Sequence, residues 1–187
     1  MNYFKGKSWK SITREERLFC AYLYFDIKKD TAKFIDWLTK HLDIELKRDN
    51  NWEAGYEVCF YRDFIEEFGE EYGLCKSKYP RKRTFDLCLF GDDEIIIIEA
   101  KAFTGFELKQ LKDFKEDREY LKKLFELIGF NNIKVKILAL ASSGYLERAR
   151  KFRIINQGQK FFDGVIDWKS IYDFYGNDLY LRANGND

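Results

Sequence analysis

From residue 12 to residue 48 the apolar positions recur at helical spacing. TREERLFCAYLYFDIKK sets Glu16, Cys20, Leu23 and Ile27 on one stripe, with Thr13 and Glu16 spaced as a capping box. DTAKFIDWLTKHL starts at Asp30, a good N-cap, and continues with Phe34, Trp37, Leu38 and Leu42 on one side. The period then shortens to two, and GYEVCFY predicts a strand over 55–61. Residues 63–83 read as a loop with a short helix and a basic tail. TFDLCLF and IIIIEAK follow as the arms of a hairpin around Gly91-Asp92-Asp93-Glu94. TGFELKQLKDFKEDREYLKKLFELIGF predicts a long amphipathic helix, with Thr104 and Glu107 as a second capping box and Gly129 near its stop. A buried strand over 133–142, a basic helix in GYLERARKFRII, then a strand and a short helix capped by Asp167 complete the chain. This order predicts an α/β protein with a mixed sheet. It reads as a single domain over 1–187, with N-terminal helices in 12–48, a core in 55–142 and a C-terminal helix, strand and short helix in 143–187.

The hairpin carries charges where a buried strand should have none. A turn with an even number of residues sets Asp86 opposite Glu99 and Thr84 opposite Lys101. Alternation then puts Asp86, Glu99 and Lys101 on one face with Cys88, Phe90, Ile95 and Ile97. Phe85, Leu87, Leu89, Ile96, Ile98 and Ala100 take the other. Both faces are apolar, so the hairpin is central, and only one end of one face is polar. Two carboxylates facing each other repel, and more strongly at the edge of a core where the dielectric falls. A divalent cation with oxygen ligands offsets this economically, and Mg²⁺ commonly uses one or two carboxylates plus water and substrate phosphate. Two acids, a lysine and such a metal suit phosphodiester hydrolysis. A plain ion pair at a strand end is the competing reading, because the chain holds six D/E-x-K tripeptides. Five of these read as helical or capping; only Glu99-Ala100-Lys101 ends an apolar strand with an acid opposite.

Composition changes this picture little. The 187 residues are 45% hydrophobic and carry a formal net charge of +1, so binding to nucleic acid must come from local patches. Cys20, Cys59, Cys75 and Cys88 show no C-x-x-C spacing, and one histidine, His41, gives no zinc set. The cysteines read as reduced core residues, and His41 as a helix-end residue. No signal-peptide core or membrane-length apolar run is present, so a cytoplasmic protein is expected.

At Asp86 and Glu99-Ala100-Lys101 the chain resembles the PD-(D/E)xK, or restriction-endonuclease-like, nuclease superfamily. The element order over roughly 12–142 is similar to that family's αβββαβ core. Phe85 stands where the motif usually has proline. The resemblance implies a Mg²⁺- or Mn²⁺-dependent nuclease acting on DNA, with Asp86, Glu99 and the Ala100 carbonyl on the metal and Lys101 in catalysis. It further implies a first-helix carboxylate on the metal, Glu16 with Glu15 as fallback, and a catalytic polar residue on the helix after the third strand, Gln110. Glu16 reads equally as half of the Thr13 capping box, and Gln110 reads at least as well as a surface glutamine. Glu57 reads as structural, because a strand running through Tyr61 carries it away from the site; Arg62 is a weak phosphate candidate.

Lys76, Lys78, Arg81, Lys82 and Arg83 crowd around Pro80 just before Asp86, which suits a phosphate-gripping loop or a solubilising one. Arg148 to Arg153 read as a solvated helix face ahead of a second grip. The alternatives to a deoxyribonuclease are an RNA-directed nuclease and a non-cleaving nucleic-acid-binding or protein-interaction module of the same fold. Oligomeric state stays open, a homodimer included, and any targeting would come from a partner protein.

Overall fold

Five strands form one sheet in chain order. β1 (Glu53–Val58), β2 (Phe85–Phe90) and β3 (Glu94–Lys101) make an antiparallel meander, and β4 (Lys134–Ala141) and β5 (Gly164–Asp167) are added parallel to β3. The computed structural model describes residues 6, 8, 12–47, 51–74, 78–151 and 161–185. Its helices are α1 (Glu16–Lys29), α2 (Thr31–Leu42), α3 (Phe60–Phe68), α4 (Leu108–Leu127), α5 (Ser143–Lys151), α6 (Trp168–Tyr175) and α7 (Leu179–Ala183). Parallel neighbours need a long crossover, and α4 supplies it between β3 and β4. No described helix is long and apolar enough to cross a membrane.

The hairpin register is the one an even turn dictates: Leu87 pairs with Ile98, Cys88 with Ile97, Leu89 with Ile96 and Phe90 with Ile95. Both faces of the sheet are covered. Helices α1, α2, α6 and α7 pack on Leu87, Leu89, Ile96, Ile98 and Ala100. Helices α3 and α4 pack on Cys88, Ile95, Ile97, Ile137 and Ala139. On α1 the expected stripe is buried through Cys20, Leu23 and Ile27, joined by Phe19. Asp30 caps α2 through the Lys33 N–H at 3.0 Å, and Asp167 caps α6 through the Ser170 N–H at 2.7 Å.

Several expectations are corrected. β1 ends at Val58, and α3 begins at Phe60, where the strand was expected to continue. Tyr61, Phe64 and Ile65 recur at helical spacing and are buried together, and this outweighs the β propensity of the tripeptide Cys-Phe-Tyr. Neither capping box forms. The Thr13 hydroxyl accepts from the Glu15 N–H at 3.1 Å, ahead of the helix, and α4 starts at Leu108 with Glu107 at its N-cap making no side-chain cap. Residues 44–47 lie beyond α2, which stops where Asp43 takes a left-handed φ of 50°. Phe85 is buried beside Tyr61, in the layer opposite to Leu87. The ladder between β2 and β3 stops at Leu87, and strict alternation does not survive past its last rung. Cys20 and Cys88 are buried thiols and Cys59 a half-buried one, while Cys75 lies outside the described residues.

Candidate active site

The polar end of the hairpin gathers charges from four segments. Beyond the last rung, the Ala100 N–H donates to Asp86 Oδ2 at 2.8 Å, so a side chain replaces a backbone acceptor there. Glu99 is only 2% exposed, and Oε1 accepts from Arg83 Nη2 at 3.3 Å. Lys101 Nζ lies 3.0 Å from Glu16 Oε1 and 2.9 Å from the Ala100 carbonyl, with its charge 5.7 Å from the Phe106 ring centroid. The second oxygen of Glu16 accepts from the Ala102 N–H at 3.0 Å. Glu16 therefore ties α1 to the end of β3, and both its oxygens are engaged by protein groups. Trp168, the first residue of α6, donates its indole N–H to the Lys101 carbonyl at 3.1 Å. The strand end is thus held from three sides.

The expectation for Glu57 is overturned. The β1–β2 register pairs Tyr56 with Leu87 and Val58 with Phe85, which sets Glu57 level with Asp86. Asp86 in the middle strand therefore has an acid beside it on each neighbour. Glu57 adopts a left-handed φ of 51°, a strained conformation for this residue type, and pairs with Arg17 at 3.5 Å. The sequence-based placement failed because it extended β1 to Tyr61. Asp117 was also missed. It sits on α4 in register with Leu111, Phe114, Leu121 and Leu124 and is buried with them. An acid inside an apolar stripe was the signal that could have found it. Its carboxylate accepts from Tyr61 OH at 2.7 Å and from Arg83 Nε at 3.0 Å.

Of the other candidates, Arg83 meets these carboxylates, at Glu99 and Asp117. Gln110 is half-buried in the first turn of α4. Glu15 is exposed at the N-cap of α1. Arg62 is exposed and bonded to Asp63 at 2.7 Å. His41 is exposed at the end of α2, stacked on Trp37 at 4.7 Å. In the basic loop Lys78 and Lys82 are exposed, Arg81 pairs with Glu66, and Arg83 turns inward between Phe85 and Phe114. Lys76 lies outside the described residues, as do 152–160; Arg148 is exposed on α5.

The electrostatics are those of a site short of positive charge. Burial raises the Asp86 carboxyl above the ordinary range, and the Ala100 N–H and Lys101 oppose this only in part; Glu16 and Glu57 add to the rise. Burial, then Asp86, pushes Glu99 up to about 8 against the pull of Arg83 and Lys101. Burial alone would lower Lys101, but Glu16, Asp86 and Glu99 more than offset it and hold the ammonium above its usual range. Lys101 is accordingly a cation at neutral pH and not a base.

A pH dependence follows for the metal-free protein. An acid whose folded value is raised contributes stability that is complete below its unfolded value and is lost as pH rises through the folded one. For Glu99 that window runs from 4.5 to about 8. In EDTA the melting temperature should fall across it, by up to about 1.4 kcal/mol of stability per pH unit. Glu99→Gln should flatten the fall. A melting temperature that rose from pH 5.5 to 8, or an unchanged slope in Glu99→Gln, would contradict the assignment.

The donor set is one of hard oxygen ligands. A buried acid, Glu99, a half-buried one, Asp86, and a peptide carbonyl at adjoining strand ends match what Mg²⁺ takes from protein when water and phosphate complete its shell. Among the described residues no three His, Cys, Asp or Glu side chains converge on a common point. No protein-family model matches the chain, and no match is found among curated proteins or solved structures.

Proposed function

We propose that the chain is a Mg²⁺- or Mn²⁺-dependent nuclease of the PD-(D/E)xK, restriction-endonuclease-like class, hydrolysing phosphodiester bonds of DNA. The observation that carries this reading is the meeting of Asp86, Glu99 and Lys101 at one end of the central hairpin, with Glu16 of the first helix fastened to Lys101. The helix, antiparallel meander, helix and parallel strand of the chain support it, because they follow the αβββαβ order of that class.

Asp86, Glu99 and the Ala100 carbonyl would hold the cation. Bound there, it would supply Lewis-acid polarisation of a phosphoryl oxygen and a water made more acidic. The remaining work falls to the chain. Lys101 offers a fixed ammonium to a phosphate oxygen or to the attacking water, and its orientation comes from Glu16. Glu16 acts here through Lys101 and Ala102. Because Lys101 stays charged, it stabilises developing negative charge and leaves proton removal to another group. The burial of Glu99 keeps bulk water from screening these charges.

The exposed lysines beside the site support phosphate contact over base reading, because Lys78 and Lys82 sit on the loop that leads into β2. Changing both to alanine should weaken binding equally on unrelated sequences. It should also flatten the log K against log salt slope by roughly 2 on duplex DNA. Arg83→Ala should act differently, because its guanidinium faces inward. A salt titration in Ca²⁺ measures this, and an unchanged slope in the double variant would move the grip elsewhere.

Incubating the purified protein with Mg²⁺ or Mn²⁺ on linear and circular DNA, and on RNA, tests the whole reading. Cleavage of DNA that stops with EDTA and in a folded Glu99→Ala protein is the expected result. Cleavage of RNA alone would change the substrate. DNA binding without cleavage in either metal would leave a binding module in place of an enzyme.

A further inference from the structure

Glu99 is held by a chain of groups, half-buried Arg83 and then buried Asp117 and Tyr61, that the chemistry above does not use. Arg83 reaches Glu99 through one contact at 3.3 Å, while its Nε meets Asp117 at 3.0 Å. The guanidinium lies 5.3 Å from the Phe85 ring and 4.9 Å from that of Phe114. Asp117 is fixed in turn by the Tyr61 hydroxyl at 2.7 Å, and Tyr61 is fully buried. Charge-assisted contacts to arginine usually measure about 2.7–2.9 Å, and the strongest arginine–carboxylate pairs are bidentate. The Arg83–Glu99 contact is longer and single. Arg83 is therefore shared, and it leans towards Asp117.

We infer that Asp117 and Tyr61 are positioning residues that hold Arg83 as a brace on Glu99 without letting it neutralise that carboxylate, so that Glu99 keeps its orientation and its affinity for a divalent cation. This rests on the nuclease reading above. Without Asp117, the fork of Arg83 is free to pair with both oxygens of Glu99 and so to compete with the metal. Without Arg83, no other hydrogen bond among the described residues fixes the Glu99 side chain. The arrangement is an outer-shell support, and such groups typically change metal affinity or activity by about 10–100-fold when altered.

The experiment compares the parent, Asp117→Asn and Tyr61→Phe by the Mn²⁺ concentration that half-saturates DNA cleavage and by the melting-temperature shift Mn²⁺ produces. Asp117→Asn keeps the shape and removes the charge. It should raise the half-saturating Mn²⁺ by about tenfold or more and shrink the shift, with KM for DNA unchanged. Tyr61→Phe, which keeps the ring, should move the midpoint the same way by a smaller factor. A purely structural role would lower the melting temperature of both variants and leave the Mn²⁺ midpoint in place. Parental Mn²⁺ midpoints in both folded variants would overturn the inference and leave the nuclease reading standing. A parent with neither metal-dependent cleavage nor a Mn²⁺ shift would overturn that reading and this inference with it.

Discussion

A Lys101→Ala protein is expected to stay folded and to cleave DNA about 10²–10³-fold more slowly than the parent at saturating Mg²⁺, the loss typical of one preorganised charge-stabilising donor. The ammonium is pinned by Glu16 and the Ala100 carbonyl, so its removal leaves the strand pairing of β3 untouched. The loss should fall on kcat, because a group aimed at developing charge acts in the transition state. Glu16→Gln should give a smaller loss in the same parameter, since the one amide oxygen can still accept from Lys101 but without the charge. Single-turnover cleavage measures both. A folded Lys101→Ala protein as fast as the parent would remove the lysine from the mechanism.

Trp168→Ala is expected to cost about 3–5 kcal/mol of stability. The indole is fully buried, lies 6.2 Å from the Phe19 ring and stacks on Tyr180 at 6.0 Å. Trp168→Phe keeps most of that packing and removes only the donor to the Lys101 carbonyl, at a cost of about 1–3 kcal/mol. Urea unfolding separates the two. If Trp168→Ala unfolded within about 1 kcal/mol of the parent, the C-terminal helices would not be part of the core. Trp168→Phe should also reduce cleavage, because the carbonyl that loses its partner belongs to Lys101 itself.

Periodicity made the helices and the hairpin legible because both depend on local spacing. The register of β2 on β3 from Leu87–Ile98 to Phe90–Ile95 is the one an even turn gives, and beyond it Asp86 turns to the Ala100 N–H. Glu16 was legible as a stripe residue, although its partner on β3 was not, since no local pattern states which strand end a helix meets. Illegibility begins where two signals compete. In Cys59-Phe60-Tyr61 both strand propensity and helical spacing are present, and reading the first displaced Glu57 from the site. Arg83 looked like one of a run of surface cations. What singles it out is tertiary: Asp117 and Glu99 are both buried against it, and neither is a sequence neighbour.

The pair joining Glu16 to Lys101 closes across 85 positions, and β3 can meet β4 only after all of α4 has been laid between them. Contacts of such separation form late, because the chain entropy of closing the loop is lost before they can repay it. The hairpin can form early with its acids in place. Its lysine remains unanchored until the first helix docks. A nascent or nicked chain therefore carries the residues of the site without its geometry, and any hydrolytic power arrives only with the completed fold. A protease cut in the loop after Phe68 should silence the protein by separating the anchor from the strand it holds.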